Sequence, residues 1–430
     1  MTYIPPERDE DGPLDRTQAL PDLGDGDGPT GPFDPAPTVP FPADRGGAEP
    51  PSPEAEPPRR DRIVFHLVWE ALLMLLTANA VFLVYQRREG IFGDVSLTEA
   101  ANAELRALAP LLLLAAALGM SLRLGAVNLA LPAVACLVLA VPKLFVGDRP
   151  QVGLGLVAAA AAAVTILFCL LVLLLRLPAW IAGLACLFAV WAAVPFADRL
   201  ASGLGSDAVS PWSLPEGPWL FAGAAAVSVA GGLLGLLPGV RNRFSLVKGA
   251  VEGSKRRGAA SVLTLVGGTF VSVLLAGAAG FVPNAFEAAE PASQGVLFET
   301  RAYSSGPEFL LSLFVLIAVL LGGTSLWGRR GGVAGTALAL VLLWALALVW
   351  TDFHPPASDR EPFSEWTGAV LAGMLLAGLL VSFGLDRLGR PKRRPPSEEP
   401  AASLPGEPAP FTPEPGGLFD PDRTARSGER

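Results

Sequence analysis

The chain has 430 residues, of which 51% are hydrophobic and 17% charged, and its formal net charge is −8. A soluble domain carries roughly 25% charged residues. Here the charges crowd into the two ends and a few short segments, so composition excludes an ordinary soluble domain and points to a membrane protein. The basic residues form no continuous field, which excludes nucleic acid as a partner. The three cysteines, Cys136, Cys169 and Cys186, lie in apolar stretches without a CxxC spacing, so they read as small packing residues rather than a disulfide or metal site.

Residues 1–60 are rich in Pro, Gly, Asp and Glu and lack the apolar core of a cleaved leader. Such a stretch cannot bury enough apolar surface to offset ordering, and it is expected to be a disordered cytoplasmic tail. Residues 61–388 form the expected membrane domain. A helix needs about 20 apolar residues to cross the hydrocarbon, and ten segments qualify: 63–85, 105–122, 124–141, 152–175, 179–197, 217–238, 259–282, 308–326, 332–351 and 366–386. Residues 389–430, opened by a basic, Pro-rich run, read as a second disordered tail. The expected fold is an all-α integral membrane bundle of about ten helices with disordered ends.

Lys and Arg near the segment ends set the orientation. With the N-terminus in the cytoplasm, ten crossings place 18 of the 32 basic residues on the inner side and 8 on the outer, the rest lying in the distal tails. A multi-pass plasma-membrane protein with both termini inside follows. Arg87 and Arg88 oppose this locally and have only acidic neighbours such as Glu89 to offset them. Trp212, Trp219 and Trp366 fall at the expected outer boundary, where an amphipathic indole is stable. The pairs Gly231–Gly235 and Gly331–Gly335 have the four-residue spacing that lets helix backbones approach closely in lipid.

No soluble-enzyme constellation is present. His66 and His354 are far apart, no metal-ligand spacing occurs, and no phosphate-binding GxxxxGK[ST] loop exists, so neither cofactor nor metal is expected. Three places depart from plain apolar helix. Gly119, Ser121, Arg123, Gly125 and Asn128 interrupt the chain between the second and third segments. Irregular backbone and an arginine at membrane depth point to a pathway or an interhelical contact; the alternative is a short turn holding Arg123 at the surface. The inner loop 241–258 carries six basic residues around Glu252, as a docking knob for a cytoplasmic partner or as a solvated positive loop. Finally, 321–336 ends one span and starts the next in a glycine-rich reversal, with Thr324 and Ser325 placed to satisfy freed backbone groups.

The order of these features resembles the permease subunits of bacterial ABC importers for ribose, xylose and related simple sugars. GMSLRLGAVN at 119–128 is similar to the family's GGIDLSVGAV, and GGTSLWGRRGGVAGT at 322–336 looks like its GGTSLxGGRGSVxGT. GAVEGSKRRG at 249–258 is similar to its inner loop GNPEAARxxG, keeping Gly249, Glu252, Lys255 and Gly258. LLRLPAWIAGLACL at 174–187 is similar to the stretch before its fifth span. The likeness covers roughly 60–386. Ser121 stands where the family usually has Asp, Arg123 where it has Ser, and Arg329 replaces a glycine.

The resemblance implies a dimeric pore, made with a second copy or a paralogue. It would be driven by a cytoplasmic ABC ATPase subunit and fed by an extracellular solute-binding protein. It makes Gly249, Glu252, Lys255 and Gly258 the coupling element, and Gly322, Gly323, Thr324, Ser325, Gly328, Arg330 and Gly331 the signature turn. Alternating access needs no catalytic side chain in the permease. Two other expectations stand beside transport: a membrane scaffold that keeps the fold without transporting, and a membrane enzyme, which would need convergent acids or a metal site that the sequence does not display.

Overall fold

An apolar run in lipid can satisfy its backbone only within itself, as a helix, and every regular element among the described residues is helical. The computed structural model describes residues 64–145, 150–203, 216–251, 258–285, 308–325, 332–353 and 367–389. The expected tails lie outside these residues, apart from the start of the second. The helices are α1 (Val64–Gln86), α2 (Arg88–Phe92), α3 (Leu97–Arg123), α4 (Leu131–Ala140), α5 (Pro142–Phe145), α6 (Pro150–Leu173) and α7 (Ala179–Gly203). They continue with α8 (Gly217–Leu236), α9 (Pro238–Val251), α10 (Ala259–Ala285), α11 (Glu308–Leu321), α12 (Gly335–Phe353) and α13 (Thr367–Gly389).

Seven of these are long and apolar enough to cross a membrane: those over 64–86, 97–123, 151–173, 179–203, 217–236, 259–283 and 368–388. The other three expected segments are shorter apolar helices, Leu131–Ala140, Ser312–Leu321 and Gly335–Trp350. The expected span 124–141 keeps only ten helical residues, because 124–130 is non-helical, and the span expected to reach 326 stops as a helix at Leu321. The reason is burial. Leu131, Val134, Val138, Ile317, Ala318 and Leu320 are each at most 1% exposed. The body of α4 and the C-terminal half of α11 are therefore enclosed by protein, although Ala140 at the end of α4 is exposed, and an enclosed helix can stop short without stranding its backbone in lipid.

The helices sort into a core and a periphery. The most apolar window of α3 is 67% buried within the bundle, that of α8 only 11%. Outward-facing Leu67, Met74, Phe188, Trp191, Leu233 and Leu380 give the periphery the apolar surface that lipid requires. Inside, one cluster packs Leu108, Leu112 and Ala115 of α3 with Val134 and Val138 of α4, Val273 and Ala276 of α10 and Ile317 of α11. Two groups of helices emerge. In one, α1 packs on α12 and α11 packs on both α12 and α13; in the other, α3 packs on α8 and α10, α10 on α4 and α6, and α7 on α4 and α6, and the two groups meet along a seam where α3 packs on α11 and α12, α4 on α11 and α8 on α12.

Contacts fix which helix ends lie together. At one end, here called the Arg123 end, α3 finishes, α7 starts with Gly183 against Asn128 and Leu129, and α10 starts with Gly268 against Leu124. Here too Trp69, near the start of α1, donates from Nε1 to the Leu321 carbonyl at 2.8 Å. Side chains of His66, Trp69 and Leu385 all approach Gly323, so the first and last described helices share this end. At the opposite end, Asn102 of α3 accepts from the Gly217 amide that opens α8. Arg87 there pairs with Asp352 at 3.5 Å and lies 4.5 Å over the Phe353 ring, while Arg88 covers Tyr85. These partners account for the two arginines that local charge alone left unexplained.

Candidate functional site

Both interruptions singled out in the sequence are helix ends of one design. In the first, the Gly125 amide donates to Leu122 O and the Ala126 amide to Ser121 O, with Gly125 at φ +67°. In the second, the Gly323 amide donates to Leu320 O and the Thr324 amide to Val319 O, with Gly323 at φ +82°. This paired pattern around a left-handed residue is the Schellman termination, which glycine adopts without a Cβ penalty. Gly119 does not take part in the break: α3 runs through it, and its open face meets Val319.

Side chains complete the first break. Ser121 Oγ donates to Ala126 O at 2.9 Å and accepts the Asn128 amide at 2.8 Å, and Asn128 Oδ1 accepts the Ala130 amide at 3.0 Å, opening α4. Ser121 and Asn128 are both buried, and the Asn128 Nδ2 donor has no hydrogen-bond partner among the described residues. At the second break, Ser382 of α13 donates to Thr324 O at 3.0 Å and Ser325 Oγ lies 3.5 Å from Asp386 Oδ1. Thr324 is fully buried and its hydroxyl has no hydrogen-bond partner among the described residues. Each break thus holds one buried polar group with no hydrogen-bond partner among the described residues.

Arg123 ties the breaks together. Its Nη1 donates to Gly231 O of α8 and its Nη2 to Gly332 O, both at 2.8 Å. The neighbouring amide, Val333 N–H, is taken by the Glu70 carboxylate of α1. The Gly332 carbonyl and the Val333 amide are the two ends of one peptide group, so that single peptide lies between a cation and an anion. Each charge also meets a favourable helix end, Arg123 the C-terminal end of α8 and Glu70 the N-terminal side of α12. Hydrogen bonds to charged groups contribute roughly 1.5–3 kcal/mol each.

Glycine makes the geometry possible. A Cβ on Gly322 would lie 2.6 Å from the Thr336 amide nitrogen, and one on Gly335 would collide with the Gly322 carbonyl oxygen. The expected Gly231–Gly235 contact serves Arg123 instead of a second helix: Gly231 supplies the acceptor, and Gly235 leaves space for Nη1. Gly232 lets α8 approach the backbone of Gly332 and Val333.

The third sequence feature reaches the same place. Helix α9 buries Val247 with Leu124, Ala126 and Ala130, and the Lys248 side chain packs on Gly125, two residues past Arg123. Gly249 belongs to α9 and Gly258 immediately precedes α10, where its carbonyl accepts from Ser261. Glu252 and Lys255, and Gly328, Arg330 and Gly331 of the signature turn, lie outside the described residues, as do Trp212, Trp366 and His354.

Of the expected residues, Ser121 and Asn128 bond each other across the turn made by Gly125, and Arg123 reaches the 322–336 region. Glu70, Trp69, Ser382 and Asp386 were not singled out from sequence. Glu70 carried a usable signal, since an acid inside an apolar span is costly and marks a functional contact. Cys136, Cys169 and Cys186 are buried and form no disulfide among the described residues. Among the described residues no three His, Cys, Asp or Glu converge in a metal-ligating group. The fold defines a multi-pass helical membrane protein in which a buried set of polar contacts joins two helix breaks. No family model, curated protein or solved structure matches the chain.

Proposed function

We propose that this chain is the permease subunit of an ABC-type importer for a sugar-like or other small polar solute, working by alternating access with separate ATPase chains. The observation that carries the reading is the meeting of three distant sequence features at one end of the bundle. Arg123 of the first break bonds Gly332 of the second, and Lys248, next to the loop likened to the coupling element, packs on Gly125. A push on α9 would reach the first break directly and the second through Arg123. The Asn128 and Thr324 groups supply buried polar sites at the breaks, where discontinuous helices serve polar cargo.

In this reading the three shorter helices also cross, giving ten passes, and the Arg123 end faces the cytoplasm, as the positive-inside bias requires. The partners are a cytoplasmic ATPase, an external solute-binding protein and a second permease copy or paralogue. The full-length protein, purified from its own cells in mild detergent, should bring down an ATPase chain. Replacing Glu252 by Ala, or deleting 249–258, should then stop ATP-driven uptake while membrane insertion persists. Undiminished uptake by such a variant sinks the coupling role. A second reading, a scaffold that keeps the fold without transporting, draws on Arg123 itself, whose guanidinium is bonded into the space between the breaks. A complex without an ATPase would favour it.

A further inference from the structure

We infer that Arg123 and Glu70 form a releasable latch that holds the two helix groups closed at the Arg123 end. The inference rests on the transport reading for its purpose, though not for its test. Arg123 belongs to the α3–α8–α10 group, while Gly332 leads into α12 of the other group. Glu70, on α1, grips the far end of the same peptide from within the α1–α12 group. The carboxylate polarises the peptide, strengthening its carbonyl as an acceptor for the guanidinium. Loss of either charge therefore weakens the same crossing.

Three features make this a latch rather than a weld. Among the described residues Arg123 uses two of its five donors on carbonyls, and its buried Nε has no hydrogen-bond partner. The facing backbones, Gly232 against Gly332 and Val333, touch without an interlocking side chain at that glycine. Lys248 of α9 lies on Gly125, so movement of α9 bears on the turn that follows Arg123. Along α3, a second polar crossing, Glu104 to Trp344 of α12, lies 19 residues away, about 28 Å at the helical rise. Release at Arg123 with Glu104 retained would open one end and keep the other shut.

The test is a distance measurement between nitroxide labels at Leu67 and Leu237, outward-facing positions near the Arg123 end on α1 and just after α8. It uses the full chain in lipid nanodiscs, with Cys136, Cys169 and Cys186 replaced by Ala. Arg123→Ala and Glu70→Gln should each at least double the population at the longer distance, and Arg123→Lys, with a single compact ammonium, should fall between. Thr77→Val removes a bond that stays within one helix group, to Leu338 O, and should leave the distances unchanged. If Arg123→Ala does not fold, the isosteric Glu70→Gln decides. A lowered melting temperature with unaltered distances in Glu70→Gln means a static pin and overturns the latch. Because the measurement needs no ATPase, failure to find one leaves the latch standing, whereas unaltered distances overturn it even where uptake is intact.

Discussion

The Glu104 carboxylate, completely buried in α3, accepts a hydrogen bond from Trp344 Nε1 of α12 at 2.9 Å. An acid with no exposed surface inside a bundle is tolerated only with donors at hand, so this pair pins α3 to α12 far from Arg123. In membrane bundles such interhelical bonds contribute about 0.6 kcal/mol on average and up to ~1.7. Trp344→Phe should cost that much plus the lost indole volume. A double-mutant cycle with Glu104→Gln, read by thermal unfolding in detergent, should return a favourable coupling. Additive losses would show that the two side chains are neighbours without a shared bond.

The glycines divide into those that permit backbone contact and those that face open space. Gly322→Ala and Gly335→Ala each drive a methyl into backbone that has nowhere to move. Each should destabilise by at least the ~1–3 kcal/mol typical of overpacking. Gly223 and Gly373 have no neighbour within 4 Å of an added methyl, so alanine there should be neutral or should gain up to about 1 kcal/mol from helix propensity. Melting temperatures of the four variants check this directly. Equal behaviour of the two pairs would mean that the 322–335 crossing is looser than its contacts indicate.

How much of this was legible in sequence follows from which solvent each helix meets. Val64–Gln86, Ala179–Gly203 and Thr367–Gly389 lie at the periphery and need unbroken apolar length, so their bounds differ from the expected segments by a few residues. The body of α4 and the C-terminal half of α11 are enclosed by protein, so neither length nor apolarity marks where these helices begin and end. Gly125 was readable as a stop, but Gly119 carries the same letter inside a continuous helix, and only the Val319 contact explains it. Arg123 could be flagged as costly. Its acceptors are backbone carbonyls at Gly231 and Gly332, which have no side-chain signature and lie 108 and 209 residues away.

At the opposite end, the Arg87–Asp352 pair should matter little to stability. The Arg87 side chain is 52% exposed, and ion pairs of that kind contribute about 0–1 kcal/mol. Arg87→Ala should therefore shift the melting temperature only slightly at low salt and not at all at high salt. Gly90→Ala, which would bring a methyl 2.7 Å from Asp352 Oδ1, should be worse than Arg87→Ala. The reverse ranking would show that charge rather than packing orders the end of α1.

Ser121 offers the sharpest test of the first break, because one hydroxyl serves two masters. It donates to Ala126 O and accepts from Asn128 N, with 2% of the residue exposed. Ser121→Ala leaves a buried carbonyl and a buried amide each short of a partner, at ~1–3 kcal/mol for an unsatisfied group. An ionised carboxylate at position 121 could accept from Asn128 but would face the Ala126 oxygen as a second acceptor. Ser121→Asp should thus destabilise more than Ser121→Ala, and the gap should narrow at acid pH, where a protonated carboxyl can donate. A Ser121→Asp variant as stable as the parent at neutral pH would mean that the break rearranges, and that the serine is not what holds its shape.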